Sequence, residues 1–584
     1  MRVKTAAALL LLGLIALVAG IGQLTFWAPP ETVTATLPAG TKAAPLTVLD
    51  TKLRDLRGGE AQVNIKGNGN FVLAVGRPDD VAAWVGKTAH TTVDGATPDG
   101  KQLNATFTDG DPSAPSPAGA DTFATTQSAS GSLDYRWDLP GDGDWQIVLA
   151  TDGTKPAPQD ITITWPSNAT TPWAVPLIVL GVLLLAGGGA IIFFLRRGRG
   201  GPGSPVGASP AQHGTEAGNT GHPEAPQPAE RRAVSRAASA AVAVVLSLVV
   251  GGTAAQATTA PSPSAPSTSA PSTSAPSSSG AASASASSTA AAAPKEKVLL
   301  DEQLQRILDQ VANAVAAGDQ AKDPKQLEPR VAESALQART QNYKVRASVA
   351  TVAALSPVRS TRLLTSVVTT QRSWPRTVMA VTQGEGNTTP QILTLRQDNA
   401  RASYRLVEAA PLLPGATFPN ALKAGAEQIP LDSKAGLAYS PAEALRGLGD
   451  RLTGSDAWKD KIPENAYIKD TLSYESDVTK LSPNGDLSFA HNPTGNDAVA
   501  YRTADGGAVL VAPLAFTIDG TPKASGDKLT VTDDAAALAG GKEASNKMSL
   551  QFLESVVVYI PGSGSKQPLS LVGGTRNLVG ASVS

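Results

Sequence analysis

The hydrophobic positions of this chain fall into three patterns. Long apolar runs occupy Thr5 to Trp27, the stretch from about Trp173 to Leu195 and, diluted with alanine and serine, Ala233 to Ala257. At ~1.5 Å per residue in a helix, each is about long enough to cross a ~30 Å hydrocarbon core. The chain therefore reads as a membrane protein with three transmembrane helices, at 5–27, 172–195 and 233–257. Residues 28–171 alternate apolar and polar positions in short bursts, the period of half-buried strands. After residue 295 a helical stripe gives way to runs of strand length.

Charge orients the long runs. Arg2 and Lys4 precede the first, Arg196, Arg197 and Arg199 follow the second, and Arg231, Arg232 and Arg236 open the third. Basic residues stay on the cytoplasmic side of apolar spans. That rule puts residues 1–4 and the Gly/Pro-rich, disordered loop 196–232 in the cytoplasm, and both large folded parts outside it. The first run ends in QLTFWAPPET without a good small-x-small site, and Trp27 suits an interfacial anchor, so it reads as an uncleaved anchor rather than a signal peptide. The third has the layout of a secretory signal in mid-chain. It closes on Ala255-Gln256-Ala257, with the small residues at 255 and 257 that signal peptidase accommodates. Two fates stay open for it: a retained helix, or a cut after Ala257 that releases the C-terminal half. Small residues such as Ala16 and Gly20, or Gly187, Gly188 and Gly189, would let the helices approach closely.

Residues 31–170 contain the segments ETVTATLP, PLTVLDTKL, AQVNIKG, NFVLAVG, LNATFTD, SLDYRWDL, WQIVLAT and DITITWP, with Gly, Asp, Asn and Pro at the breaks. They predict an extracytoplasmic all-β sandwich at 28–171, with one short helix at Asp79–Gly86. Asp109-Gly110-Asp111 and Asp142-Gly143-Asp144 invite comparison with calcium loops and with the Asp-x-Asp of glycosyltransferases. The further spaced carboxylates of a calcium loop are missing, and the surroundings are strands rather than a nucleotide-binding α/β fold. Asp and Gly are what hairpin turns demand, so both triplets read as turns.

Residues 258–294 are almost entirely Ala, Pro, Ser and Thr, a disordered spacer able to reach roughly 100 Å at ~3.1 Å per residue. Beyond it, Leu300, Leu304, Ile307, Leu308, Val311 and Val315 share one helix face, and a second helix is predicted from Pro329 to about Lys344. The strands TRLLTSVVTTQ, RTVMAVTQ, QILTLRQ and ASYRLVEAA follow, the last two joined by a turn at Asp398 and Asn399. After Pro430 a similar order begins again: the helix PAEALRGLGDRLTG, then AVAYRT, AVLVAPLAFTI, SLQFLESVVVYI and LSLVGG. The expectation is an extracytoplasmic α+β region built of two units, 295–437 and 438–584.

Composition narrows the chemistry. With 44 Pro, 55 Gly and only 4% aromatic residues, part of the chain cannot bury enough apolar surface to order itself. A net charge of -1 gives no field for nucleic acid. The lack of cysteine removes disulfides, thiolate metal sites and a cysteine nucleophile. The four histidines, His90, His213, His222 and His491, have no metal-ligand spacing, which speaks against a zinc enzyme or a histidine triad. Ser525 and Lys528 stand at Ser-x-x-Lys spacing without the Ser-Asp-Asn or Lys-Thr-Gly companions of penicillin-binding enzymes. No catalytic, metal or cofactor-binding residue is assigned, and no cofactor is expected.

The first anchor running into FWAPPETVTA, the segment FVLAVGRPDDVAAWVGK, and GDGDWQIVLATDG before ITITWP and the second span resemble high-GC actinobacterial multi-pass cell-envelope proteins of unknown function. The helix-helix-sheet order of the C-terminal region resembles the nuclear-transport-factor-2-like (NTF2-like) cone fold. These resemblances imply a non-enzymatic envelope protein, its partners the membrane and an extracytoplasmic protein or glycan. The alternative is an envelope enzyme or accessory of glycan or wall assembly, with a pocket in the C-terminal unit. A glycosyltransferase-type activity has no motif to support it. A third reading is a fusion of two normally separate products, one ending near residue 230.

Overall fold

The computed structural model describes residues 2–58, 60–167, 169–197, 296–494 and 497–584. The third apolar run, the spacer, and most of the loop between the second and third runs lie outside the described residues. So do Arg199, Arg231, Arg232, Arg236, Ala255 and Ala257. Contacts divide the chain into two units. One is Met1–Ala6 with Gly189–Ala291, in which only helix ends are described. The other, Ala7–Gly188 with Ala292–Ser584, holds everything that follows.

Helix α1 (Arg2–Leu24) leads into a β-rich body. Its strands are β1 (Thr32–Thr36), β2 (Leu46–Leu49), β3 (Gln62–Gly76), β4 (His90–Ala96), β5 (Leu103–Thr108), β6 (Thr125–Arg136), β7 (Gln146–Ala150) and β8 (Asp160–Pro166). Two short helices, α2 (Thr51–Asp55) and α3 (Pro78–Val85), follow β2 and β3. All eight strands form one sheet in the order β1-β8-β3-β7-β2-β4-β5, with β6 along β3. The long strand β3 organises it. One edge of β3 carries β6, while the other carries β8 over Gln62–Lys66 and then β7 over Val72–Gly76.

The register breaks between Lys66 and Asn70, so two arms leave the same edge of β3. They meet again where Thr36 of β1 bridges Gln102 beside β5. The sheet closes on itself as a barrel-like layer, where alternation alone predicted two facing sheets. AQVNIKG and NFVLAVG, which read as two strands, are one. Inside, Trp137, Trp145 and Trp165 are buried with Phe71, and the indole N–H groups of Trp145 and Trp165 donate to the carbonyls of Gly141 (2.8 Å) and Leu53 (2.6 Å).

Helix α4 (Ala174–Arg197) follows β8, and its last turn carries Arg196 and Arg197. α1 and α4 are the two described helices long and apolar enough to cross a membrane. Their buried small residues recur every seven positions, Ala6, Gly13 and Gly20 on one and Ala174, Gly181 and Gly188 on the other. A Cβ added to Gly13 would stand 2.9 Å from the carbonyl oxygen of Gly181, and one on Gly181 would stand 2.7 Å from the amide of Leu17, so the two backbones touch. Of the small residues singled out from sequence, Gly20 lies in this contact, while Gly187 and Gly189 face open space.

The C-terminal part is built twice on one plan. Helices α5 (Asp301–Ala321) and α6 (Glu333–Ser348) precede a meander of β9 (Arg362–Val368), β10 (Arg376–Gln383), β11 (Gln391–Gln397) and β12 (Arg405–Pro411). The short β13 (Gln428–Ile429) introduces the second copy of the plan, with helices α7 (Pro441–Leu452) and α8 (Ala466–Leu481). There β14 (Gly485–Pro493) and β15 (Val499–Arg502) pair successively along one edge of β16 (Ala508–Pro522). An excursion through β17 (Leu529–Thr530), α9 (Asp533–Ala539) and β18 (Glu543–Ala544) then leads to β19 (Met548–Ile560) and β20 (Ser570–Val583).

The two sheets face each other, and side-chain alternation sorts their residues into layers. Val378 and Ala380 of β10 pack under α5 and α6. Leu510, Ala512, Val556 and Val558 pack under α7 and α8. The intervening Met379, Val381, Val509, Val511 and Val557 meet between the sheets. The result is helix, sheet, sheet, helix. Strands buried on both faces lose their polar alternation, which is why VMAV at 378–381 and VVVYI at 556–560 are unbroken apolar runs. The face that an NTF2-like cone would close around a pocket is covered here by the other sheet.

Candidate functional site

The barrel and the C-terminal part are joined by a seam of buried polar contacts. The barrel segment Asp121–Ala124 is gripped from several elements at once. Asp121, whose side chain is fully buried, pairs with Arg330 and accepts the backbone N–H of Tyr404 at 2.7 Å. On α5, Gln303 donates to the Asp121 carbonyl, and Arg306 donates to those of Phe123 and Ala124 at 2.7 and 2.8 Å. Thr122 donates to the Ala400 carbonyl and accepts from Gln397.

The β11–β12 hairpin, which the sequence marks only as a turn, is the finger that enters the barrel side. Its Arg401 donates to the Trp84 and Val85 carbonyls at the end of α3, 2.7 and 2.9 Å, and to Thr88. A guanidinium suits that position because the last carbonyls of a helix lack intrahelical donors and carry its negative pole. Ala400 and Trp374 complete an apolar cluster around Trp84 and Phe123. Beside it Arg376 faces Asp80 at 2.7 Å, both almost fully buried, although the contact is off hydrogen-bond geometry and leaves Asp80 Oδ1 without a bond. Burial lifts the Asp80 carboxyl above its ordinary range despite the opposing charge of Arg376. Arg77 of the barrel pairs in the reverse sense with Glu296, at 2.5 Å.

Two further polar clusters flank strand β19, one residue apart and on opposite faces. On the helix side, His491 of β14 has Nδ1 2.7 Å from Glu554 and Nε2 3.0 Å from Glu475 of α8. Tyr467 donates to the other oxygen of Glu554 at 2.7 Å. Facing two ionised carboxylates, which only accept, the ring is held by both nitrogens as a cation that donates to each. Burial pulls the His491 pKa down, but bonds to Glu475 and Glu554 outweigh it and hold the value above the usual one. The ring stacks on Phe516 with centroids 4.1 Å apart.

On the opposite face, Ser555 donates to Glu408 of β12, tying one sheet to the other. Glu408 also hydrogen-bonds Ser334 of α6. Burial, only partly offset by the two serines, pushes its carboxyl up from 4.5 to about 7. Both serines line a cavity of about 200 Å³ where α6, the end of β12 and the middles of β19 and β20 meet. Glu333 next to Ser334 has a positive φ of 49°, a strained setting for a non-glycine residue. A larger open groove, about 660 Å³, runs beside Asn68 and Asn70 on the barrel, and no buried titratable group lines it.

Of the residues singled out from sequence, His491 lies at the centre of one cluster and the Asp142 carbonyl accepts from Arg77 at the seam at 3.4 Å, while the other described ones lie apart. Arg196 and Arg197 end α4. Asp111 bridges Thr88, and Gly143 turns the backbone at φ +88° between Asp142 and Asp144. Lys528 pairs on the surface with Glu543 at 2.6 Å, away from any nucleophile role for Ser525. His213 and His222 lie outside the described residues; His491 gains its partners from residues 16 positions before and 63 after it, a separation that no spacing rule reads. Helix α8, which supplies Tyr467 and Glu475, escaped prediction because its buried stripe is itself partly polar: Tyr467, Ile468, Thr471 and Glu475.

Residues 295–583 match the model of a family described as Domain of unknown function (DUF8094). No curated protein and no solved structure matches the chain.

Proposed function

We propose that this is a non-enzymatic envelope protein whose barrel and C-terminal part act as one body outside the membrane, where they bind a protein or glycan partner. The seam carries the reading. Residues 121–124 and α3 of the barrel are bonded to residues 303–404, which supports a reading with both parts on the same side of any membrane. If α4 crosses, its end at Arg197 lies on the far side, and the chain has to cross once more between residues 198 and 295. The apolar run 233–257 is the one stretch there with the length to do so. Arg2 and Lys4 before α1, with Arg196 and Arg197 after α4, favour the cytoplasm for both of those ends.

The seam also supports a single product over a fusion of two unrelated ones. The envelope location and the actinobacterial resemblance belong to this proposal. Epitopes inserted after Asp152, within 205–225 and at the C-terminus test it by protease accessibility on intact spheroplasts. The first and third should be digested and the second protected. A protected C-terminus beside an accessible 152 loop would refute the arrangement.

A further inference from the structure

One corner of the C-terminal part collects hydrogen-bond acceptors that lack the donors to balance them. Glu408 is 4% exposed and no Lys or Arg stands within ion-pair distance among the described residues; its bonds come from two serine hydroxyls. Gln391, 6% exposed, lines the adjoining cavity, and its buried side-chain oxygen has no hydrogen-bond partner. Glu333 and Asp497 add negative potential at Glu408, and the cation they share, Arg396, is paired with them rather than with Glu408. Arg339 is the one cation in the cavity wall among the described residues. It is held by Asp319 at 2.7 and 2.8 Å and by the Ser356 carbonyl at 2.9 Å.

A purely structural pin between the sheets explains the Ser555–Glu408 bond. It does not explain an ionisable group where a neutral one would hold the same bond, nor the unpartnered amide beside it, since buried polar groups without partners are costly. Everything missing from the corner is a donor or a positive charge. We infer that the cavity binds a small organic ammonium compound, its N–H groups bonding Gln391 Oε1 and the oxygens of Ser334 and Ser555, and its charge balancing Glu408. About 200 Å³ is room for roughly six waters at ~30 Å³ each, enough for a compact amine. Ala335, Ala338 and Ala409 offer its carbon skeleton an apolar wall.

Calorimetric titration of the full-length protein in detergent tests this, with glucosamine as the probe and glucose as the neutral compound of the same shape. Glucosamine should bind at least about tenfold more tightly than glucose. Near pH 6.5 its binding should release a proton, seen as a heat that changes with the ionisation enthalpy of the buffer. Glu408→Gln should weaken binding at least about tenfold and remove the proton release. Ala338→Leu, which fills the cavity and leaves Glu408 in place, should abolish binding with the circular dichroism spectrum unchanged. Equal affinity for glucose and glucosamine, affinity unaltered in either variant, or no heat with glucosamine at about 10 mM would each overturn the inference.

Discussion

Asp121→Ala should separate the two folded parts once the chain between them is cut. The Asp121 carboxylate has no exposed surface, receives two guanidinium nitrogens from Arg330 and one backbone N–H from Tyr404, and lies within a segment held by four other residues, Gln303, Arg306, Gln397 and Ala400. Removing one partner of such a buried pair leaves the other charge uncompensated and costs about 3–5 kcal/mol, or roughly a hundredfold to a few thousandfold in the association constant. In the intact chain this loss would be masked, because covalent linkage keeps the parts at high effective concentration. A site for a specific protease placed within 258–294 removes that mask. After cleavage the wild-type C-terminal fragment should stay with the membrane fraction, whereas the Asp121→Ala fragment should wash off. Arg136→Ala is the matched control. Its pair with Glu60 is 60% and 65% exposed and sits on the barrel surface, so its effect should stay below about 1 kcal/mol. Equal retention of the Asp121→Ala and wild-type fragments would refute the reasoning, and so would a wild-type fragment that washes off.

Three other outcomes follow from single sites. For Glu408, a carboxyl lifted from 4.5 to about 7 is stabilising in its protonated form below 4.5, and that stability is lost as pH rises through about 7. At ~1.4 kcal/mol per pKa unit the loss is roughly 3 kcal/mol, so denaturation curves of wild type and Glu408→Gln should diverge by that amount between pH 4.5 and 8; parallel curves would contradict the burial argument. For His491 the pKa is raised in the fold, so its contribution is complete below 6.5 and fades as pH rises through the folded value. His491→Gln should therefore destabilise by about 3–5 kcal/mol near pH 6 and less in alkali, and a pH-independent difference would show that the ring is neutral. For the helix pair, cysteines at Gly20 and Ala174 should cross-link in a chain that has no other cysteine. Gly181→Leu should abolish the cross-link by pushing the backbones apart, and an unaffected yield would mean that the close approach at Leu17 is absent.

The legible parts of the fold were those whose burial is simple. α1, α4, α5 and α7 each show one apolar face or none polar, and β10 and β11 were bounded correctly because turn residues flank them. After Pro430 one helix, α7, and strands beyond it were visible, but the second helix, α8, was not. Closure of the barrel was not, because alternation reports which face of a strand is buried and is silent about which edges pair. The break in β3 between Lys66 and Asn70 that splits its partners looks in sequence like an ordinary turn between two strands. The seam was hidden for a different reason. Its donors are arginines, which in sequence look like solvated surface residues, and most of its acceptors are main-chain carbonyls, which have no sequence signature at all.

That chemistry bears on the unsettled fate of residues 233–257. A cut anywhere in residues 198–295 would change only whether the two parts are covalently joined. Non-covalent retention depends on the seam, and the seam combines three carboxylate-arginine pairs, a hairpin finger on the end of α3 and an apolar cluster shared between the parts. These contacts form between segments more than 180 residues apart in the chain, as between Gln303 and Asp121, and none of them uses residues 198–295. A cut in that interval would convert one chain into two without opening the body they form. Release of the C-terminal part would then require the seam itself to fail, which the Asp121→Ala fragment is built to imitate.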